Sequence, residues 1–466
     1  MPSFPITDFH VHPNLKTYGR TFDRRAKGTE QLWMESKPGF WQLKKNALLG
    51  LTHFSQATYL MLIKGGVRVA MVSLYPFEKG FFENGRLKGP LAEIIANFIT
   101  QIGFSRIRHL QKQMDYFQEL AGEMDFLLRA EQSFEQNGVS YTATWAENWT
   151  NTQQILATPN SLALIPTIEG AHVFNSGLGK FGKNPDREEI LNNIRSVKSW
   201  RFPPFFITFA HNFNNDLCGH VRSLEKAGKL LDQSEGIDLG FSELGWEVLE
   251  HLTSTHFGRP ILIDVKHMSV KSRKEFYAWN NRRPDPLPVL ASHAGVAGLD
   301  FSKTSKNPNT PTWLCHDEIN FFDEDILEIG KTKGILALQL DSSRLANAAK
   351  IKKSLLGKNR EKAIGESCQI LWANIQHAAE ILDQNGLDAW DSIAIGSDFD
   401  GTINPLEGIY TTLDFKDMAN ALLELAKNYN KNSSLIFAKN RQIEPEAIIS
   451  KILFENGLEF LKWNFR

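Results

Sequence analysis

Residues 6–14 read ITDFHVHPN and place two histidines, His10 and His12, in a short apolar run that ends at Pro13. Side chains alternate between the two faces of a strand, so these two imidazoles point the same way at the carboxyl end of the strand. Two imidazoles with this spacing can bind a metal ion, but polar histidines without a metal also occur at strand ends. The rest of the sequence decides between these two interpretations.

Other apolar runs of strand length also end in an imidazole or a carboxylate. These residues are Glu169, His211, His267, His293 and Asp398. Each one alone could be a polar residue at a strand end or the cap of a following helix. Because the pattern recurs along one chain, it favours a shared metal site.

The candidate metal ligands are four imidazoles and one carboxylate, from His10, His12, Glu169, His267 and His293. This donor set suits Zn²⁺, Mn²⁺, Fe²⁺ or Co²⁺ better than Ca²⁺ or Mg²⁺, which prefer oxygen ligands. Two metals about 3.5–4 Å apart, bridged by a carboxylate and a hydroxide, would use all five ligands. We therefore expect two divalent ions per chain, with Zn²⁺ preferred, that ionise a water molecule and polarise a substrate carbonyl.

Two further strand-end residues have chemistry that a metal-dependent hydrolase needs. Asp398 is not required as a ligand, so we expect it to take a proton from the attacking water and return it to the leaving amine. His211 can donate a hydrogen bond to the developing oxyanion, and Asn212 and Asn215 follow it closely enough to contact substrate. His172, in the turn after the third apolar run, contacts either substrate or only its own loop.

Three neighbouring residues receive other interpretations. Lys266 precedes His267, so strand alternation predicts that Lys266 points away from the metals. Asp8 shares a strand face with His10 and is expected to fix the tautomer of that imidazole. Asp400 is typical of the turn after the last strand.

Eight apolar runs, rich in Val, Ile, Leu, Ala and Phe, have the length of strands. They lie at 6–12, 66–75, 161–172, 204–212, 259–267, 286–295, 334–341 and 391–401. Such runs are typical of strands buried on both faces of a parallel sheet. Helix-like segments separate most of them, at 187–200, 242–257, 269–281 and 365–386. This order predicts an α/β fold, a (β/α)₈ TIM barrel whose active site lies at the carboxyl ends of the strands.

Two connections are longer than an ordinary link from a strand to a helix. These insertions follow the first and second strands at about 13–65 and 76–160, and the second contains an amphipathic segment at 105–123. The insertions could shape a pocket or a homodimer interface, or the 105–123 helix could simply cover the barrel wall. Terminal helices are expected over about 415–465. Without a repeat or a linker, we assign 1–466 to one domain.

The composition excludes several kinds of partner. Lys plus Arg total 52 and Asp plus Glu total 53, a net charge of −1, so no overall charge attracts nucleic acid or anionic lipid. Cys218, Cys315 and Cys368 are scattered and odd in number, which argues against a disulfide framework. The sequence shows no secretion signal, no apolar stretch of the ~20 residues that span a bilayer, and no lipid-anchor signal. We expect a cytoplasmic protein without a membrane anchor.

Seven motifs occur in order along nearly the whole chain, namely DFHVHPN, IEGAH, FAHNFNNDLCGH, the helix SELGWEVL, IDVKHMS, SHAG and GSDFDGTINPLEG. Together they resemble the membrane dipeptidase (renal dipeptidase) family, peptidase family M19 of the amidohydrolase superfamily. The resemblance implies a (β/α)₈ barrel, a binuclear zinc site and hydrolysis of dipeptides, often with a D-residue on the C-terminal side. It also implies one metal bound by His10 and His12, a bridging Glu169, a second metal bound by His267 and His293, proton transfer by Asp398, and substrate contact by His211.

Two positions depart from the pattern of that family. Family members carry an Asp where this chain has His12, and the neutral imidazole removes one negative charge from the metal site. After the sixth strand the family has an Arg that holds the substrate carboxylate, whereas this chain has Ile319. Its loss should weaken binding of a free carboxylate, because Arg–carboxylate pairs are strong, unless Lys303 or Lys306 replaces it.

The sequence therefore predicts a metal-dependent hydrolase of a small amide, with a dipeptide as the leading substrate. An amidohydrolase that acts on another amide, an ester or a lactone is the alternative among enzymes. A non-catalytic metal-binding barrel is a third interpretation. Asp398 and His211 argue against it, because a protein that only binds metal needs no proton shuttle.

Overall fold

The computed structural model of the protein describes residues 4–23, 28–83, 89–224, 231–351 and 359–466. Its strands are β1 (Ile6–Val11), β2 (Val67–Leu74), β3 (Ser133–Gln136), β4 (Val139–Trp145), β5 (Ser161–Glu169), β6 (Phe206–Thr208), β7 (Leu262–Asp264), β8 (Leu290–Ala294), β9 (Ile335–Leu338) and β10 (Ile393–Ile395). Eight of them, all except β3 and β4, run parallel and close into a (β/α)₈ TIM barrel, which confirms the predicted fold class. β1 closes the barrel by pairing with β10 on one side and β2 on the other.

The barrel strands form where the sequence is continuously apolar, because both faces of each strand are covered. Every position of β1 and of β5 is buried. All eight predicted runs contain a barrel strand, but β6, β7 and β10 span only 3 residues each. The residues of those three runs that follow the strands continue as irregular chain, and His211, His267 and Asp398 lie in these segments.

The second insertion contains a β-hairpin that the sequence analysis did not predict. β3 and β4 pair antiparallel, and β4 also pairs parallel with the start of β5. The hairpin turns at Asn137 and Gly138, which have φ values of 54° and 73°. Asn-Gly is the preferred dipeptide for a two-residue turn with both φ positive, so the sequence did carry a signal for this hairpin.

Helices surround the barrel and fill the insertions. They are α1 (Leu15–Arg20), α2 (Phe40–Leu49), α3 (Tyr59–Gly65), α4 (Gly89–Thr100), α5 (Phe104–Lys112), α6 (Tyr116–Leu128), α7 (Trp149–Leu156), α8 (Arg187–Lys198), α9 (Glu243–Thr253), α10 (Val270–Asn280), α11 (Asp323–Lys331), α12 (Ser342–Leu345), α13 (Arg360–Gln384), α14 (Phe415–Lys431), α15 (Ala438–Arg441), α16 (Pro445–Ser450) and α17 (Asn456–Asn464). The four helices predicted between strands correspond to α8, α9, α10 and α13. Ser242 caps α9 by accepting a hydrogen bond from Gly245 N at 2.9 Å.

The prediction of one helix over 105–123 is wrong, because the chain breaks there into α5 and α6. Asp115 has an extended backbone and accepts a hydrogen bond from Gln118 N at 3.0 Å, so it begins a new helix. Ile107 of α5 belongs to a small apolar cluster near the barrel mouth, whereas Leu120 of α6 belongs to the main core. The segment therefore both covers the barrel wall and contributes to the mouth.

The terminal helices are α14 and the pair α16 and α17, which a π-helical turn at Lys451–Glu455 separates. The largest hydrophobic cluster contains residues from Ile6 to Leu453 and supports our proposal that 1–466 forms one domain. Within the described part of the chain, no helix combines the length and the apolar character needed to cross a bilayer.

A buried ion pair joins α10 to α11. Arg273 Nη1 lies 2.8 Å from Asp325 Oδ2, and the exposed fractions of the two side chains are 1% and 0%. Tyr277 Oη donates a second hydrogen bond to Asp325 at 2.8 Å. Because all three groups lie in the core, removing one charge leaves the other without its partner.

We expect the substitution Arg273→Met to lower the free energy of unfolding by about 3–5 kcal/mol, because it leaves the Asp325 charge buried and unpaired. Urea denaturation followed by circular dichroism measures the change as a shifted midpoint. The matched control is Arg187→Met, which breaks an exposed ion pair with Glu247 and should leave the midpoint nearly unchanged. Equal shifts in the two variants would show that burial of the Arg273 pair is not the cause.

Candidate metal centre

β1 delivers two imidazoles to the mouth of the barrel. His10 lies within β1, His12 follows its last residue, and their Nε2 atoms are 3.0 Å apart. Both side chains are buried. The alternation expected from the sequence therefore places both rings on the same side.

The carboxylate of Glu169, the last residue of β5, lies at the centre of the strand-end histidines. Its oxygens lie 3.4 Å from His10 Nε2, 3.4 Å from His12 Nε2, 3.3 Å from His211 Nε2, 3.5 Å from His293 Nε2 and 4.0 Å from His267 Nε2. Burial alone would raise the pKa of this carboxyl, yet His211 and His10 hold its pKa well below the usual range. Glu169 is therefore an anion that all five imidazoles surround.

The other two predicted ligands come from adjacent barrel strands. His293 lies in β8, His267 follows β7, and their Nε2 atoms are 3.2 Å apart. His267 has a φ of 67°, a left-handed backbone conformation that non-glycine residues rarely adopt. Strain of this kind is typical of functional sites, where the surrounding structure holds the residue in place.

Asp398 reaches the same mouth from the chain that follows β10, also with a left-handed backbone, at a φ of 57°. Its Oδ1 atom lies 3.5 Å from His12 Nε2 and 3.9 Å from His10 Nε2. Gln339 Nε2 donates a hydrogen bond to its Oδ2 atom. A Cβ atom at Gly401 would lie 1.9 Å from Asp398 Oδ1, so glycine at this position leaves room for the carboxylate.

The buried donor atoms form three overlapping groups whose ligand atoms lie within 4.8 Å of one another. The groups are His10 with His12 and Asp398, His10 with Glu169 and His293, and Glu169 with His211 and His267. Imidazole nitrogens with one shared carboxylate are the donors that Zn²⁺ and similar divalent ions prefer. The residues therefore fit a metal centre at this mouth.

Ser292 explains why the Nε2 lone pairs of two ligands face inward. Its Oγ atom lies 3.0 Å from His10 Nδ1 and 2.9 Å from His293 Nδ1, and it donates its own proton to Asp264 Oδ2 at 2.6 Å. Both imidazoles must therefore donate from Nδ1, which leaves their Nε2 atoms free for metal. Asp8 was predicted for this role, but it accepts hydrogen bonds from backbone N–H groups instead, so that prediction is wrong.

A carboxylate that the sequence analysis missed holds His211. Glu78, in the loop after β2, has both oxygens 3.1 Å from His211 Nδ1, and Tyr75 Oη donates a hydrogen bond to it. Burial opposes a charge on His211, but Glu78 and Glu169 raise its pKa to about 10. The segment YPFE directly after β2 carried the only signal, an acidic residue near a strand end.

No protein-family model matches the chain, and no curated protein matches it significantly. Solved structures do match. A dipeptidase AC, a metallopeptidase of family M19, has 13% identity and a TM-score of 0.57, over 100% of this chain and 99% of that chain. A metallopeptidase from Rhodobacter sphaeroides with a phosphinate mimic of L-Ala-D-Ala has 13% identity and a TM-score of 0.57, and the match covers 99% of this chain and 100% of that chain. The probable dipeptidase PvdM from Pseudomonas aeruginosa has 14% identity and a TM-score of 0.50, and the match covers 98% of this chain and 94% of that chain.

The chain has the fold of the M19 dipeptidases. His12 is the first of the two positions at which this chain departs from the M19 pattern. Its Nε2 atom lies within 3.5 Å of both Glu169 and Asp398, at the place where an acidic ligand is expected. Its Nδ1 atom has no hydrogen-bond partner among the described residues. The cluster therefore has an imidazole at the position where the M19 pattern would place a carboxylate.

The second departure from the M19 pattern is Ile319, which is buried and lines the cavity above the metal centre. This cavity has a volume of about 360 Å³. Lys303 and Lys306 do not reach it, because both are exposed and pair with Glu318 and Asp300. The suggestion that one of these two lysines replaces the family's Arg is therefore wrong.

Two other cations line the same cavity among the described residues, Lys266 and Arg344. The prediction that Lys266 points away is wrong, because β7 ends at Asp264 and strand alternation does not continue beyond it. Lys266 Nζ donates to Ile319 O at 3.2 Å, and burial together with the Arg344 charge lowers its pKa to about 7. Arg344 lies in α12 and donates to Ser223 O.

The residues predicted to contact substrate beside His211 differ in position. Asn212 lines the cavity above the metal centre. Asn215 is buried, and its side chain bonds to backbone groups at three positions of its own loop. His172 Nε2 lies 2.7 Å from Pro76 O and lines a neighbouring cavity. Asn215 and His172 therefore support loops, whereas Asn212 is the one of the three that lines the cavity above the candidate metal centre.

Asp400 does more than form the predicted turn. Its carboxylate accepts hydrogen bonds from Lys16 Nζ at 2.8 Å and from the backbone N–H groups of Gln56 and Ala57. These three donors belong to the first insertion. Asp400 therefore ties that insertion to the loop that carries Asp398.

We expect the purified protein to contain about two divalent ions per chain, because one bridging carboxylate and four imidazoles suffice for two metals. Elemental analysis by mass spectrometry measures this ratio directly. The substitution Glu169→Gln should lower it to one or below, because the bridging charge is lost. His251→Gln, a histidine of α9 outside the centre, is the control that should keep both ions. One ion in the unmodified protein would mean that His12 has changed the site.

Proposed function

We propose that this protein is a metal-dependent hydrolase of small amides and that dipeptides are its substrates. The observation that carries the proposal is the convergence of four imidazoles, the Glu169 carboxylate and the Asp398 carboxylate at one barrel mouth. The similar structures are metallopeptidases, and one of them holds a dipeptide mimic, which supports a dipeptide as substrate.

We assign His10 and His12 to one divalent ion, His267 and His293 to the other, and Glu169 to both. Zn²⁺ is the preferred ion, with Mn²⁺, Fe²⁺ and Co²⁺ as alternatives, because most of the donors are imidazole nitrogens. When bound, such ions polarise a substrate carbonyl and supply a water molecule that ionises near neutral pH.

Asp398 is the group that moves the proton in this proposal. Its Oδ1 atom faces the histidines, while the Gln339 amide holds its Oδ2 atom and limits rotation of the carboxylate. From this position it takes a proton from the attacking water and delivers it to the nitrogen of the leaving amine. The same carboxylate can serve both steps, because the water adds to the same carbonyl carbon from which the nitrogen departs.

His211 is the hydrogen-bond donor to the oxyanion that develops on the substrate. Glu78 occupies its Nδ1 atom, so the proton on Nε2 is the one directed into the centre. A protonated imidazole donates a charge-assisted hydrogen bond, which strengthens as negative charge forms on the carbonyl oxygen.

A second candidate function is the hydrolysis of another amide, an ester or a lactone on the same metal centre. Ile319 favours this candidate, because it removes the cation that the M19 pattern places there for a substrate carboxylate. A barrel that only binds metal is disfavoured, since the Gln339–Asp398 and Glu78–His211 contacts would then have no use.

The substitution Asp398→Asn should lower kcat by about 10²–10⁴-fold, because the amide cannot accept and return the proton. Initial rates of dipeptide hydrolysis measure the loss, and elemental analysis should show that both metals remain. The control is Asp391→Asn, which removes an exposed carboxylate that pairs with Lys451 and should leave kcat unchanged. Loss of metal together with activity would show that Asp398 is a ligand rather than a shuttle.

A panel of substrates tests the substrate class. With metal present, we expect hydrolysis of L-L or L-D dipeptides and slower turnover of N-acyl amino acids and lactones. Ninhydrin detection of released amino acids measures the first group, and pH-stat titration measures the others. Turnover of a lactone or an N-acyl amino acid without turnover of any dipeptide would favour the second candidate function.

A further inference from the structure

We propose that Lys266 and Arg344 form an anion subsite that binds the free C-terminal carboxylate of the substrate. The inference rests on the proposed function and deepens it, because it limits the substrates to dipeptides with an unblocked C-terminus. It also names the residues that take over from the missing Arg at the position of Ile319. We refer to these two residues as the cationic pair.

Lys266 has a buried amino group that pairs with no carboxylate of the described residues. Its exposed fraction is 1%, its ammonium group carries three donors, and the one hydrogen bond found for it goes to Ile319 O at 3.2 Å. No carboxylate oxygen of the described residues lies within 4.0 Å of its Nζ atom. A buried ammonium without an ionic partner is costly, so an anion that enters the cavity is stabilised there.

Arg344 presents a second charge from the neighbouring wall of the cavity. It comes from α12, after β9, and one of its donors bonds to Ser223 O. Asp317 and Asp341 also line the cavity, but their carboxylates accept hydrogen bonds from residues of their own loops. Among the described residues, no ion pair joins either of them to Arg344. A planar guanidinium with free donors matches the two oxygens of a carboxylate.

The cationic pair shares a cavity with the carboxylate that is proposed to protonate the leaving nitrogen. Lys266, Arg344 and Asp398 all line this one cavity. Asp398 protonates the leaving nitrogen, and in a dipeptide the carboxylate carbon is two covalent bonds from that nitrogen. A C-terminal carboxylate is therefore brought to Lys266 when the scissile amide lies at the metal centre.

The position of Ile319 strengthens this argument. The M19 pattern places the carboxylate-binding Arg at this point of the chain, and here the apolar side chain cannot supply a charge. Lys266 Nζ bonds to the backbone oxygen of this same residue, so a cation from the chain after β7 lies beside the position of Ile319. The cavity wall thus still carries positively charged side chains, but they come from the chain after β7 and from α12 rather than from the position of Ile319.

The test measures binding to the inactive Asp398→Asn protein with its metals bound, by isothermal titration calorimetry. The probes are L-Ala-D-Ala and its C-terminal amide, which differ in the charge of one group. We expect the free acid to bind at least ~10-fold more tightly than the amide, since a charged hydrogen bond contributes about 1.5–3 kcal/mol. Lys266→Met and Arg344→Met should each weaken binding of the free acid by about 10–100-fold and leave binding of the amide unchanged.

The controls are Lys271→Met and Arg282→Met, which remove exposed charges near the same elements and should not change either affinity. Equal affinity for the two probes in the parent protein would overturn the inference. So would variants of the cationic pair that weaken both probes alike, because that result indicates a structural role.

Hydrolysis of both probes by the unmodified protein is measured in parallel. This measurement distinguishes failure of the proposed peptidase function from failure of the proposed anion subsite. Preference for the free acid in binding, without hydrolysis of either probe, would overturn the proposed peptidase function and support the subsite. Hydrolysis of both probes at equal kcat/KM, with equal affinity, would support the peptidase function and overturn the subsite.

Discussion

The negative charge of Glu169 at the barrel mouth is the feature on which the site depends. A buried carboxylate without partners is unstable as an anion, because it loses its hydration. Here imidazoles from β1, from β8 and from the chain after β6 and β7 surround it, and His211 and His10 hold its pKa well below the usual range. These strands are distant in sequence, and only closure of the barrel brings their ends within reach of one carboxylate.

A layer of polar contacts behind the donors determines how they can act. Ser292 fixes which nitrogen of two imidazoles carries the proton, Gln339 limits rotation of Asp398, and Glu78 keeps a proton on His211. Most of these contacts join elements that are distant in the sequence, such as Ser292 of β8 and His10 of β1. The chemistry of the centre is thus set by side chains that would touch neither metal nor substrate.

Much of this arrangement follows from local patterns in the sequence. The eight strands correspond to continuous apolar runs, and the shared direction of the β1 histidines follows from alternation. Alternation failed for Lys266, because β7 ends two residues earlier and the chain turns. The partner of His10 is Ser292 rather than Asp8, and Arg344 faces the cavity, because packing between distant elements decides both. Local sequence patterns cannot predict such contacts, whereas the Asn-Gly dipeptide could have predicted the β3–β4 hairpin.

Closure of the barrel also determines when the centre can form during synthesis. β1 is synthesised long before its partner β10, since Asp8 pairs with Ile395. Until β10 arrives, β1 keeps an open edge and the first two histidines lack the other walls of their cavity. The nascent chain therefore carries His10 and His12 before their site can be assembled, and any metal binding by the complete centre must follow the synthesis of β10.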